Sequence, residues 1–554
     1  MTNLIQNSAV FRWLASICVS IYRSWDTSLL GRAAGRLSAY YEISASRRIW
    51  ERFCGVENPA ETSVYSRVCG RFRGVLEWLG DCLEKSVFYR VVAWLRDLYL
   101  RVTKGSVVFG LINRLSLHQW VLVAFALYLP IGYVLRNVIQ IAILAAAWEE
   151  LFILAAVAFI LWRVALKQTD TIRRGTPVGA YILLFMAVGL LLMSLVRPWP
   201  AVAFAGYRAQ VEYMIWFFLI LHLIEDKKDL KVVYCTFAAM VAVLCLHGIY
   251  QYIIAVPIPA GWVSHTEAGV RTRVFSLTGS PNIFGSLIIM GAPLVAALVY
   301  YCKRPLVKFF FLCVTGMMCL CLLFTFSKAA WGGMVVAVIL FSLFVDKRLL
   351  GVMGAAIAAI LVAVPSITSR LTFLFTADYA EASAVGGRSL RWETGWQLLH
   401  ENSPWLGFGL GRFGGAVAMN NKLLDETDTF EYFYMDNYYL KTMVEMGYIG
   451  VIFFILLLVG LIVWGIRALY QSGLDFVPDR GRDPLMRNAG NDRMLAVGIF
   501  SGLCGVLVHC YFENIFEEPY MMAYFWGLAA MLMYLGFFKD RRGRRLQGTD
   551  PAPQ

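Results

Sequence analysis

Residues 451–465 read VIFFILLLVGLIVWG, a run with no charged side chain and with apolar groups on every face of a helix. Such a run leaves no polar stripe for water and belongs in a protein core or in lipid. Extended to 447–466, it reaches the roughly 20 residues that a helix needs to cross a bilayer. Similar stretches recur near 119–135, 150–166, 178–196, 211–224, 232–255, 283–301, 309–325, 330–345, 349–365, 494–512 and 520–538. Composition agrees: of 554 residues, 59% are hydrophobic and only 16% charged, whereas soluble domains carry about 25% charged residues. The mean hydropathy is +0.62. An outer-membrane barrel would alternate apolar and polar residues in segments of about ten, and no such pattern occurs. The expected fold is therefore all-α, a polytopic helical membrane protein with about twelve transmembrane helices.

The formal net charge is +13. In a membrane protein this reads as the cytoplasmic excess of Lys and Arg, so no nucleic-acid partner is expected. With the amino terminus inside, the cytoplasmic segments hold 38 of the 50 basic residues, and both termini are expected in the cytoplasm. Residues 1–116 form a basic region too polar to span. Its stretch Val75–Val102 has the helical spacing of a segment lying at lipid headgroups or of a small soluble helical domain. The apolar run Leu14–Tyr22 is short and has no small-residue site after it, so a cleaved signal peptide is not expected. The organisation that follows is 1–116, helices 1–9 over 117–366, an extracytoplasmic loop over 367–446, helices 10–12 over 447–538, and a cytoplasmic tail over 539–554. Of the twelve cysteines none falls in the long loop and no CxxC occurs, which argues against a thiolate metal site.

A structureless loop of that length is uncommon and usually marks a functional element with helices of its own. RSLRWETGWQLLH (388–400) is its helix candidate, followed by Asn402-Ser403-Pro404 and the glycine-rich GFGLGRFGG (407–415). Once the cytoplasmic cations are explained, those on the outer side become informative. Arg208, Arg271, Arg273 and Lys328 sit on or beside short outer connections, and Arg388 and Arg391 lie in the loop helix. Guanidinium groups give bidentate hydrogen bonds to phosphate oxygens, so such a cluster could hold a diphosphate; a single arginine could equally snorkel to lipid phosphate. Where the loop returns, Asp436 reads either as a helix cap or as a general base. Glu445, nine residues on, falls on roughly the opposite helix face. The acidic residues Glu513, Glu517 and Glu518 read as solvated charge, with a cation site as the alternative, and no metal site is assigned. A secondary transporter or lipid-linked glycan flippase is the competing class, opposed by the single long one-sided loop and by the lack of ionisable residues at mid-span.

Four segments together resemble a known family: RVFSLTGSPNIFGSLIIMGAPL (273–294), FTFSKAAWGGM (324–334), GRSLRWETGWQLLHENSPWLGFGLGRFG (387–414) and DNYYLKTMVEMGYIGVIFF (436–454). In this order, with twelve spans and the loop before the last three, the chain is similar to the O-antigen ligase and polymerase superfamily. The resemblance covers about 120–538. It implies a metal-independent glycosyltransferase of the bacterial cytoplasmic membrane without a cofactor. The implied donor is an undecaprenyl-diphosphate-linked glycan and the acceptor a glycan or lipid-linked hydroxyl, with other polysaccharide-assembly proteins as further partners. Family ligases carry a His-Asn pair where this chain has Asp436-Asn437, and Ser327-Lys328 replaces their Ser-Arg; both differences place it nearer the polymerases. On this reading Asp436, Arg273, Arg388 and Arg391 are catalytic, and Arg208, Arg271, Lys328 and Glu445 bind substrate.

Overall fold

The computed structural model describes residues 64–539 apart from 105, 197–198, 258–271, 364, 374, 379–380, 382–387, 422–434, 475 and 477–487, with isolated positions before 64. Arg271 lies outside these residues. Among those described, all regular structure is helical. Among the described residues nine helices are long and apolar enough to cross a membrane, and a tenth crossing is formed if the bent pair Leu117–Ala126 and Tyr128–Ile139 counts as one. The chain is thus a multi-pass all-α membrane protein. It divides into two compact units, one built from Met1–Glu57, Cys245–Arg391 and Leu469–Glu513, the other from Asn58–Leu244, Trp392–Ala468 and Asn514–Gln554.

Three expected spans differ in form. The first bends by 74°, and Pro130 explains it: proline has no N–H to give to the carbonyl of Ala126, four residues back. Tyr524 makes good the loss, its hydroxyl donating to the Ala126 carbonyl at 3.1 Å and accepting from the Leu129 N–H at 2.9 Å. In lipid no water could do this, so the bend and its tyrosine belong together. The fourth span, expected at 211–224, is a broken helix instead: Pro200–Val211, a 3₁₀ turn Glu212–Met214, then Ile215–Leu223. The ninth, Leu349–Ala363, has 15 residues and stops short of Pro365.

In the second unit, helix Pro519–Phe537 is buried along almost its whole length and packs on Ile215–Leu223. Aromatic rings fill this core, with Phe125 and Trp216 4.7 Å apart and Phe125 edge-on to Tyr524 at 5.9 Å. The amphipathic stretch of residues 75–102 forms parts of two helices, Val64–Glu84 and Val87–Val102, the second capped by Ser86. The first docks on Ala142–Ala165, held by ion pairs from Arg73 to Asp170 and from Lys167 to Asp81 at 2.7 Å. The second leaves Trp94, Leu95 and Leu98 exposed. One group of potential metal ligands occurs among the described residues, His118, Glu225 and Asp229. The carboxylates already have protein partners: Asp229 accepts from the Gln119 amide at 2.7 Å and from the Glu225 N–H at 2.9 Å, and Glu225 lies 3.0 Å from Arg163.

In the first unit, Pro281–Tyr301 and Asp492–His509 form the buried centre, flanked by Lys328–Val345 and Pro305–Phe324. Close approach sets this packing. A Cβ on Gly333 would lie 2.7 Å from the Gly505 carbonyl oxygen, so the two helices meet backbone to backbone. Small residues give membrane helices this contact, because lipid supplies no hydrophobic drive for association.

Candidate active site

In the second unit the chain returns from the loop through Met435, Asp436 and Asn437 into helix Tyr438–Ser472. Asn437 is the cap. Its side-chain oxygen accepts from the Leu440 N–H at 3.0 Å, satisfying one of the donors that a helix start leaves open. The neighbouring Asp436 carboxylate accepts from the Trp392 indole N–H at 3.1 Å, and the residue is 6% exposed. Trp392 comes from helix Arg388–Glu401, which matches the expected 388–400 almost residue for residue.

The helix that follows is broken at Gly447, where φ is 65° and ψ −170°. A side chain there would be strained by that φ, and its Cβ would meet the Trp405 carbonyl oxygen at 2.4 Å. The segment Pro404–Gly409 lies in the gap and takes up the freed backbone groups. Phe408 and Gly409 donate to the carbonyls of Val444 and Glu445 at 2.7 and 3.1 Å, while Tyr448 and Ile449 donate to Pro404 and Trp405 at 2.8 and 3.2 Å. Irregular backbone of this kind is tolerated in a membrane only where protein surrounds it. Leu399, Phe413, Met435 and Val444, all fully buried, lock the loop helix, the glycine-rich turn and the returning helix into one piece.

Beneath this lies a buried ionic network. Lys441 contacts Glu445 at 3.3 Å and Glu517 at 3.1 Å, and all three side chains are at most 12% exposed. The carboxylates hold the glycine-rich segment: the Phe413 N–H donates to Glu445 at 3.3 Å and the Ala416 N–H to Glu517 at 2.7 Å. Asn514 adds a hydrogen bond to Glu517 at 3.1 Å. Burial pushes the Glu517 carboxyl up, but Lys441 and these donors outweigh it and hold it below the usual carboxylate range. Glu445 is therefore placed to support the loop from below. Glu513, read from sequence as solvated, is buried, and the Glu517 side chain is only 12% exposed. Apart from Asn514, the partners named for them, Asn282, Ala416 and Lys441, lie far away in the chain, where no local pattern could reveal them.

Arg208 also stands differently from expectation. It occupies the last turn of Pro200–Val211 and pairs with Glu150 at 3.1 Å and Glu212 at 3.2 Å, two carboxylates that compete with any phosphate.

The first unit gathers two of the expected cations around Phe512 and Glu513. Arg273, 8% exposed, donates to the Thr325 carbonyl at 3.0 Å and to Asn282 at 3.1 Å, and the Asn282 amide donates to Glu513 at 2.5 Å. Arg388 donates to the Phe512 carbonyl at 3.0 Å and lies over that residue's ring, 5.9 Å from its centroid. Arg391 follows in the first turn of the same helix, part-buried. Lys328 opens helix Lys328–Val345 behind its Ser327 cap, with its ammonium 5.4 Å from the Phe373 ring centroid. Asn282 and Glu513 were not anticipated as partners of Arg273, although Asn282 stands in one of the quoted segments.

These features define a multi-pass helical membrane protein whose glycine-rich loop is built into a broken helix and whose arginines are held in preset positions. Residues 310–455 match the family model described as O-antigen ligase. Over this segment the chain is similar to the O-antigen ligase family, a likeness that supports glycan transfer in polysaccharide assembly. The matched segment contains Lys328, Arg388, Arg391, Asp436, Lys441 and Glu445, and stops short of Glu517. No curated protein matches the chain.

Proposed function

We propose that this protein transfers a glycan from an undecaprenyl-diphosphate carrier to an acceptor hydroxyl at the outer face of the bacterial cytoplasmic membrane, with both termini inside. The acceptor oxygen attacks the anomeric carbon, the carbon–oxygen bond to the carrier breaks, and its electron pair leaves with the diphosphate. The hydroxyl proton passes to Asp436. Arg273, Arg388 and Arg391 stabilise the leaving diphosphate, a charge-stabilising task that prearranged guanidinium groups can perform without a metal. Lys328 and Arg271 are assigned to the same anion. The observation that carries this reading is Asp436 itself, a buried carboxylate beside the capping Asn437 and held by the Trp392 indole.

The reading is tested with purified full-length protein and an undecaprenyl-diphosphate glycan in the presence of a chelator. Arg273→Ala, Arg388→Ala and Arg391→Ala should each lower turnover roughly a hundred- to thousandfold, the usual effect of removing one donor from a developing anion. The Lys variants should retain part of the activity, keeping charge but losing the bidentate fork. Normal turnover in all three Ala variants would move the diphosphate elsewhere, and a requirement for added divalent metal would reject the metal-independent step.

The proposed orientation has its own test. Asn420 and Leu474 are both exposed. In a variant lacking the twelve native cysteines, Asn420→Cys should react with a membrane-impermeant maleimide in intact spheroplasts and Leu474→Cys should not. The opposite pattern would invert the topology.

A further inference from the structure

The helices that bring Asn282, Lys328 and His509 to one end of the first unit carry a second polar feature at their other end. There, about 30 Å away along helices of this length, a cavity of about 480 Å³ opens among Tyr300, Asp346, Arg348, Asn488, Asn491 and Arg493. Its floor is fixed. The turn 488–491 is tied to the end of helix Pro281–Tyr301 by the Gly490 N–H, which donates to the Tyr301 carbonyl at 2.8 Å. Asn491 then caps helix Asp492–His509 through the Arg493 N–H at 3.0 Å. Asp346, the one carboxylate among the described lining residues, accepts from the Arg348 N–H at 3.0 Å.

Arg493 is the informative residue. Its aliphatic stem passes over Gly473, where a Cβ would meet the Arg493 Cδ at 3.0 Å, so the absence of a side chain at 473 makes room for it. Its Nε is buried without a hydrogen-bond partner among the described residues. A buried guanidinium nitrogen left unpaired costs free energy, and an arginine so placed has unfilled capacity for an acceptor. Two arginines and two side-chain amides lining one cavity form a donor set suited to a tetrahedral oxyanion.

We infer that this cavity binds a phosphate group through Arg493 and Arg348, at the end of the helices opposite Arg273 and Arg388. On the proposed orientation it faces the cytoplasmic leaflet, so the phosphate belongs either to an anionic phospholipid headgroup or to a soluble phosphate. Neither the site nor its ligand enters the transfer reaction proposed above, and its test does not depend on that reaction.

Full-length protein purified in uncharged detergent is titrated separately with inorganic phosphate and with short-chain phosphatidylglycerol, binding being read by calorimetry and native mass spectrometry. Binding of phosphatidylglycerol alone identifies the headgroup as the ligand, and binding of inorganic phosphate identifies a soluble one. In either case Arg493→Gln and Arg348→Gln should each weaken binding roughly ten- to hundredfold, as expected for loss of hydrogen bonds to a charged group. Arg348 is only part-buried, so Arg348→Gln remains interpretable if Arg493→Gln fails to fold. Wild-type protein that binds neither probe, or an Arg348→Gln variant that binds as wild type, overturns the inference.

Discussion

Asp436→Asn is expected to lower glycan transfer by about a hundred- to ten-thousandfold, the range that general-base assistance is worth, with little change in melting temperature. The substitution is nearly isosteric, and the Asn side-chain oxygen can still accept from the Trp392 indole at the position now held by the carboxylate. What it removes is the negative charge and the basicity. Asn437→Ala is the matched control, because loss of a helix cap costs about 1 kcal/mol of stability while leaving the chemistry of the folded molecules largely intact. The two neighbours should thus separate cleanly, one losing turnover without stability and the other stability without turnover. Trp392→Phe should give a smaller loss than Asp436→Asn, since it removes a group that orients the carboxylate and leaves the carboxylate itself in place. Near-normal turnover of Asp436→Asn in a correctly melting protein would reject the base role.

The sequence shows apolar runs well and breaks in them poorly. Hydropathy registers that residues 119–135 are oily; it does not register that Pro130 leaves the Ala126 carbonyl without a donor and bends the helix by 74°, because the compensating Tyr524 lies at the far end of the chain. Gly447 is hidden in the same way: a glycine in an apolar run signals a break only when the segment filling the gap, Pro404–Gly409, is known. The loop helix 388–401 was legible from its own composition and the turn after it. Ion partners followed a similar division. The Lys441–Glu445 pair stands at helical i,i+4 spacing and could have been read locally, which would have argued against a substrate role for Glu445. The pairing of Arg208 with Glu150 joins separate helices, as does that of Lys441 with Glu517, and neither leaves a local trace.

Lys441→Met should destabilise the protein by about 3–5 kcal/mol, the cost of leaving buried charge without its counter-ion, because Glu445 and Glu517 would then face each other in a site that is at most 12% exposed. The sign of the pH dependence distinguishes this cause from a packing defect. In the wild type the Glu517 carboxyl is held below its usual range by Lys441 and its hydrogen bonds despite burial. Its contribution to stability is therefore present above the unfolded carboxylate pKa and is lost as pH falls through the lower folded value. Without the lysine, burial and the neighbouring carboxylate act unopposed by a cation and raise the folded value, so protonation now favours the folded state. On mild acidification Lys441→Met should consequently gain stability relative to the wild type, as measured by thermal melting of both across pH 4–7. A simple cavity would lower both curves in parallel. Replacing all three residues, Lys441→Met with Glu445→Leu and Glu517→Leu, should recover much of the stability, since well-packed apolar groups can stand in for a buried ion network. It should not recover activity: the Phe413 and Ala416 N–H groups would lose the acceptors that fix the glycine-rich segment against Met435, next to Asp436. A triple variant that is both stable and fully active would show that the network serves folding alone.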